Sequence, residues 1–214
     1  MKTFTNKEGS QIMDMLIRAI QENKQYLSDI DGAIGDGDHG INMNKGFTLC
    51  REALDKEAGD LSYSLNVLAR ILMMKIGGAM GPLYGTFFRA FSRSLEGKDT
   101  IGRDDFQAAL SSSVEALQLI SKAAVGDKTM MDVLIPAKES MELAVQKDLP
   151  FESAVDLMAE SARKGRDGTV NMEAKIGRSS RLGERSKGVM DAGAASCCLI
   201  LETMAAGVRD LIRH

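Results

Sequence analysis

The chain has 214 residues and a formal net charge of −3, from 27 Lys and Arg against 30 Asp and Glu. That length suits one domain with a sizeable core, and the weak negative charge gives no sign of a nucleic-acid-binding surface. Only 3 Pro, no Trp and 5% aromatics beside 14 Met make a composition that favours helices.

In chain order the apolar period is helical almost throughout. Ile12, Met13, Leu16, Ile17 and Ile20 form one stripe, with Asn6 or Ser10 as its expected cap. The polar segment "IRAIQENKQYLSDI" continues as helix. Further helices are expected from Ile41 to Glu57, Leu61 to Ile76, Tyr84 to Leu95, Asp104 to Lys122 and Thr129 to Gln146. Pro150 sits near the first position of another, which carries Phe151, Val155, Leu157 and Met158. The last starts near Ala192. No β-branched alternation competes, and no repeat, low-complexity tract or interdomain linker interrupts the chain. The expected architecture is all-α, with about eight amphipathic helices and short loops in one domain spanning residues 1–214.

Cys50 and the adjacent Cys197 and Cys198 offer neither metal-ligand spacing nor a disulfide framework, so a reducing cytoplasm is expected. The start "MKTFTNKEGSQ" has no apolar signal core and no apolar run reaches spanning length, which argues against membrane association.

Glycine-rich pieces interrupt the helices at 31–40, 77–81, 125–129 and 176–193. In an up-and-down bundle alternate loops emerge at one end, so several of these can converge there, where chemistry usually sits. The first, "DGAIGDGDHG", contains a G-x-G-x-x-G match at Gly35, Gly37 and Gly40. A dinucleotide fingerprint must follow a strand inside a βαβ unit, and the preceding segment is helical and polar. An EF-hand also fails, because its sixth and twelfth positions would be Ile41 and Phe47 rather than Gly and Glu. A Walker A motif is absent, since Gly97 and Lys98 are followed by Asp99. What remains is Asp31, Asp36 and Asp38 in a loop that glycines can turn inward. Three convergent carboxylates repel one another unless a hard cation sits among them, and all-oxygen ligands favour Mg²⁺, whose open positions nucleotide phosphates fill. A solvated acidic turn is the alternative.

The other loops carry complementary groups. Lys128 and Thr129, Arg178 and Arg181, and Arg185 offer charge and hydroxyls for phosphates. Ser196 and the small residues at 192–196 would let a helix N-terminus approach an anion, and Pro82 after Gly81 marks another helix start. For any one of these basic residues taken alone, a solvated loop is the better reading.

"IGDGDHGINM", "GGAMGPLYGTFF", "GDKTM" and "GRSSRLGERSKGVMDAG" together resemble the nucleotide-binding L subunit of dihydroxyacetone kinase, over nearly the whole chain. The resemblance implies a barrel of eight antiparallel helices, with ADP or ATP and two Mg²⁺ ions bound in the loops at one end. It implies Asp31, Asp36 and Asp38 as Mg²⁺ ligands. His39, Gly40, Ile41, Asn42, Gly78, Ala79, Met80, Ser121, Met130, Arg178, Asp191, Ala192 and Gly193 would form the nucleotide pocket. Three positions depart from the family pattern: Met80 stands where a serine is usual, Ala192 where a proline is usual, and Ser121 where glycine is frequent. These bear on phosphate contacts and substrate preference, and leave the metal loop intact.

Phosphoryl transfer rests on positioning and charge stabilisation, so the resemblance gives Arg178 the catalytic role of stabilising charge at the open mouth. It also implies partners. The substrate, dihydroxyacetone or a related small ketose, would sit on a separate K subunit. A phosphotransferase-system protein would rephosphorylate bound ADP in place, within a homodimer or hetero-oligomer. A non-catalytic Mg-nucleotide-binding regulatory module, and a helical protein enclosing an apolar cavity for lipid, are the alternatives.

Overall fold

Ile12, Met13, Leu16, Ile17 and Ile20 are buried along one face of helix α1 (Ser10–Glu22), as their 3.6-residue spacing requires. The computed structural model describes residues 2–213. Among them α1 is followed by α2 (Lys24–Ile34), α3 (His39–Leu54), α4 (Leu61–Lys75), α5 (Met80–Leu95), α6 (Arg103–Ile120), α7 (Met131–Gln146), α8 (Phe151–Gly168) and α9 (Ala192–Ile212). Two short strands, β1 (Phe4–Thr5) and β2 (Thr100–Ile101), pair antiparallel with Phe4 opposite Ile101.

Each of α3 to α8 packs on the next helix in sequence, α8 packs on α9, and α1 packs on both α3 and α9. Eight helices therefore form a closed ring. The short connections from α3 through α8 make those successive ring helices antiparallel, as expected for a barrel. The ninth helix, α2, lies against α3 and α9 rather than in the ring. Phenylalanines fill the interior: Phe47 meets Phe88 edge-on, and Phe106 links Phe91 to Phe151 with ring centroids 5.2 and 5.9 Å away.

The structure corrects several expected details. Residues 31–34 are the last turn of α2 rather than loop, and the polar helix expected after α1 is broken at Asn23, which caps both helices. Neither Asn6 nor Ser10 caps α1, whose N-cap is Gly9. Asn6 instead crosses to the far end of the ring, where its Nδ2 donates to the Leu95 and Lys98 carbonyls and its Oδ1 accepts from Ser62 N–H. Met80 and Gly81 belong to α5, and α3 starts at His39 and ends at Leu54. α6 ends at Ile120 and α7 starts at Met131. Pro150 is the N-cap of α8, one position outside the helix. The β1–β2 ribbon carried no strand signal in the sequence, being two residues on each side.

Pro136 lies inside α7 and has no N–H to give the Asp132 carbonyl four residues back. Gly165 of α8 packs against that carbonyl, which draws α7 and α8 together near their functional end.

Candidate functional site

Alternation around the ring places the starts of α3, α5, α7 and α9 at one end, together with the ends of α4, α6 and α8. A cavity of about 560 Å³ opens there. It is lined by His39 of α3, Met80 of α5, Met131 of α7 and Ala192 of α9, each within the first turn of its helix. Four helix N-termini therefore face one cavity. Each brings the positive end of a macrodipole, although the first-turn N–H groups of α7 already donate to Thr129 and Met130, His39 N–H to Asp31 and Ala194 N–H to Asp191. Helix starts arranged in this way receive phosphates.

The acidic cluster sits on the rim. Asp31, from the last turn of α2, and Asp36 and Asp38, from the turn before α3, each present a carboxylate oxygen within 4.8 Å of the others. Three oxygen ligands at that spacing suit a hard cation such as Mg²⁺, which keeps its remaining positions for water and phosphate. Asp36 also makes an ion pair with Arg178, and Asp31 Oδ2 accepts from His39 N–H at 3.3 Å.

Of the residues assigned to the nucleotide, His39, Asn42, Gly78, Ala79, Met80, Ser121, Met130, Arg178, Asp191, Ala192 and Gly193 all line this cavity. Gly40 and Ile41 do not. A Cβ on Gly40 would come within 2.0 Å of the Lys24 carbonyl, so its smallness serves the crossing of α2 and α3. Ile41 is 52% exposed and its side chain points away. Both lie in the first turn of α3, so any part they play is through backbone N–H groups.

The basic loop residues separate sharply. Arg178 reaches the cavity, whereas Arg181 and Arg185 are exposed and outside its lining. Lys128 also lines the cavity, but it is buried and its three ammonium N–H groups are shared among four backbone carbonyls, so it is not a free phosphate ligand. Thr129 lines the cavity, in a turn held by Asp132, whose carboxylate accepts from Gly126 and Thr129 N–H.

Tyr84 also lines the cavity and had no sequence signal beyond lying one turn after Met80. Its hydroxyl meets Ser196 Oγ at 2.5 Å, and Ser196 Oγ lies 2.8 Å from His39 Nε2. Ser196 is thus occupied inside the protein rather than offered to an anion. Burial pushes the His39 imidazole down to about 4, against the opposing pull of Asp31, so the ring is neutral at pH 7. Burial also pushes Asp191 up to about 6, although Ala194 N–H and Lys128 favour its charged form. Asp191 caps α9 by accepting from Ala194 N–H at 2.8 Å.

The DAK2 domain matches residues 33–206, which takes in most of the ring and all four cavity-facing helix starts. The chain belongs to the DAK2 domain family. It is 41% identical over 186 residues to the ADP-binding subunit of the PTS-dependent dihydroxyacetone kinase of Lactococcus lactis, covering 86% of this chain and 88% of that one. It is 32% identical over 205 residues to the ADP-binding subunit of the PEP-dependent dihydroxyacetone kinase of Escherichia coli, covering 94% and 98%. The dihydroxyacetone kinase of C. freundii, solved in complex with AMP-PNP and Mg²⁺, shares the fold with a TM-score of 0.69 at 23% identity. That alignment covers 92% of this DAK2 chain and 33% of the C. freundii chain.

Proposed function

We propose that this chain is the nucleotide-binding subunit of a dihydroxyacetone-type kinase, which passes phosphate from a Mg-bound nucleotide to a small ketose held on a separate K subunit. The observation that carries this reading is the convergence of four helix N-termini and three carboxylates on one cavity. The relatives named as ADP-binding kinase subunits align over nearly their whole length.

In this reading the first-turn amides of α3, α5 and α9 that have no partner within the chain hold the phosphate oxygens, and α7 contributes its macrodipole, since its own first-turn amides donate to Thr129 and Met130. His39 and Asn42 fix the nucleotide beside them, and Gly78 and Gly193 leave room for close approach. Met80 replaces a hydroxyl with an apolar wall, which leaves its backbone N–H as the donor at that position. Asp31, Asp36 and Asp38 would hold two Mg²⁺ ions, which when bound neutralise charge on the phosphates and set them in line. Arg178, at the mouth, stabilises charge on the transferring phosphoryl group. Side chains exposed around the same end, among them Ile41, Met74, Leu119 and Ile120, form an apolar rim for the K subunit. The closure of α1 on α9 supports reading residues 1–214 as a single nucleotide-binding domain. The absence, among the described residues, of a helix long and apolar enough to cross a membrane agrees with a cytoplasmic place for it.

The relatives' names include PEP- and PTS-dependent kinases, which supports ADP as a bound cofactor rephosphorylated in place by a phosphotransferase-system protein. The test is transfer in a reconstituted mixture. The chain, a K subunit, dihydroxyacetone and the phosphotransferase donor should give many turnovers from one equivalent of ADP. The chain alone should hydrolyse no ATP. Rapid multiple turnover with ATP and no donor protein would make it an ordinary ATP-exchanging subunit, and failure to bind Mg·ADP would remove the reading altogether.

A further inference from the structure

Residues 172–190 leave α8, pass over the cavity mouth and return to the start of α9. They carry Ile176, Gly177, Arg178 and Ser179 into the lining. A strap of this length, with residues 175–178, 184–185 and 187–188 exposed, is expected to open readily. Its two feet are nevertheless tied. Gly188 N–H donates to the Val170 carbonyl at 2.8 Å, and Ala174 N–H to Ser186 Oγ at 2.9 Å.

Lys128 lies between these feet. Its ammonium donates to the Thr169 and Met172 carbonyls, at 2.8 and 3.2 Å, on the outgoing side. It donates to the Ser186 and Val189 carbonyls, at 2.7 and 2.5 Å, on the returning side. Among the described residues no carboxylate lies at ion-pair distance from it, although Asp191 is near enough to favour its charge. Four carbonyl oxygens around one buried monovalent charge is also the way proteins bind potassium or ammonium ions. The lysine is anchored from behind, in a turn where it adopts a left-handed φ of 62° and where Asp132 holds the amides of Gly126 and Thr129. The four carbonyl dipoles converge and repel one another without a cation among them.

We propose that Lys128 is the positioning residue for Arg178: a tethered monovalent cation that joins the two feet of the strap and so holds Arg178 over the phosphate site. Although Lys128 lines the cavity, its ammonium is occupied by the carbonyls of the strap's feet, so it acts on the nucleotide through the strap. The importance of Arg178 rests on the kinase reading above, whereas the tying of the strap does not depend on it.

Hydrogen exchange read by mass spectrometry, on the whole chain, tests the tie. Lys128→Met keeps the length of the side chain and removes its charge. Peptides within 172–190 should exchange roughly tenfold faster or more while the ring helices keep their protection. Wild-type protection of the strap overturns the proposal. A second variant, Lys128→Ala, leaves a hole lined by the carbonyls, and ammonium or potassium chloride should restore strap protection where lithium chloride at equal ionic strength does not. Equal effects of all three salts also overturn it.

A double-mutant cycle on phosphate transfer with a K subunit tests the link to Arg178. Lys128→Met and Arg178→Ala should each lower kcat, and combining them should cost no more than Arg178→Ala alone. Fully additive losses would show that Lys128 does not act through Arg178. A chain that shows the exchange result but binds no Mg·ADP would leave the strap tied by Lys128 and sink the kinase reading instead.

Discussion

Gly165 in α8 faces the backbone carbonyl of Asp132 in α7 so closely that a Cβ at 165 would come within 2.1 Å of that oxygen. The carbonyl is open to this approach because Pro136 cannot donate to it. Gly165→Ala must push α7 and α8 apart, since neither backbone can yield locally. Overpacking of this kind costs about 1–3 kcal/mol, and urea unfolding should show it as a lower midpoint. Asp132 also holds the Gly126–Thr129 turn with its side chain, so Mg·ADP affinity should fall with stability. A variant with wild-type midpoint and affinity would show that the helices slide past one another freely.

Asp36→Asn and Asp38→Asn each take one negative charge from the cluster of three. Mg·ADP binding measured by calorimetry should weaken by on the order of tenfold or more, since even the outer partners of metal ligands are worth that much. The apo fold should persist, because mutual repulsion among the carboxylates is relieved. Unchanged affinity in both variants would remove these aspartates from the metal site.

Ligand that binds only the folded chain raises stability by about 2.7 kcal/mol at a hundredfold excess over Kd. Mg²⁺ with ADP should therefore raise the melting temperature clearly, and ADP with EDTA should not. Equal shifts in the two samples would mean that the helix N-termini hold the nucleotide without metal.

Asp191 has a carboxyl pushed up to about 6 by burial, from an ordinary value of 3.8. The folded state thus binds its proton more tightly than the unfolded chain does, so this group adds stability as pH falls through 6 towards 4. Above pH 6 the buried charge weighs against the fold. Asp191→Asn keeps a capping side chain for α9 and removes the titration. Its stability relative to wild type should be most favourable at pH 7 and should decline as pH is lowered to 5. A pH-independent difference would show that Asp191 titrates normally.

Burial pushes the Cys50 and Cys198 thiols up to about 12 and Cys197 higher still. Thiolate is the reactive form, so the folded chain should resist a thiol reagent at pH 8 and react fully once denatured. Rapid labelling of the native chain would place at least one cysteine at an opening surface.

Apolar periodicity made the eight ring helices legible, because each buries one continuous stripe. The break at Asn23 was hidden, since "QENKQ" is polar on both sides and contains neither Gly nor Pro. Asp31, Asp36 and Asp38 could be read as a group because they lie close in the chain. Lys128 could not be read correctly: a lysine in "GDKT" looks like a solvated loop residue, and the carbonyls that bury it are 41 to 61 residues further on. Gly40 drew attention through a phosphate-loop pattern, whereas its need for smallness arises from the Lys24 carbonyl on another helix. Such requirements are set by tertiary approach and leave no local pattern.

The ring closes where α1 meets α9, the first and last helices of the chain. That seam is the contact of greatest sequence separation, and its loop-closure entropy must be met before the barrel is complete. Every other ring contact joins helices that are neighbours in sequence or separated only by α2. Linking the end of α9 to the start of β1 and opening the chain at the exposed turn around Gly97 would turn the costly seam into a local hairpin, and would make the α5–α6 contact distant. Because the α5–α6 turn is also where β1 reaches β2, such a circular permutant would trade one long closure for another. The folding rate of the permutant would then report which of the two seams the chain closes last.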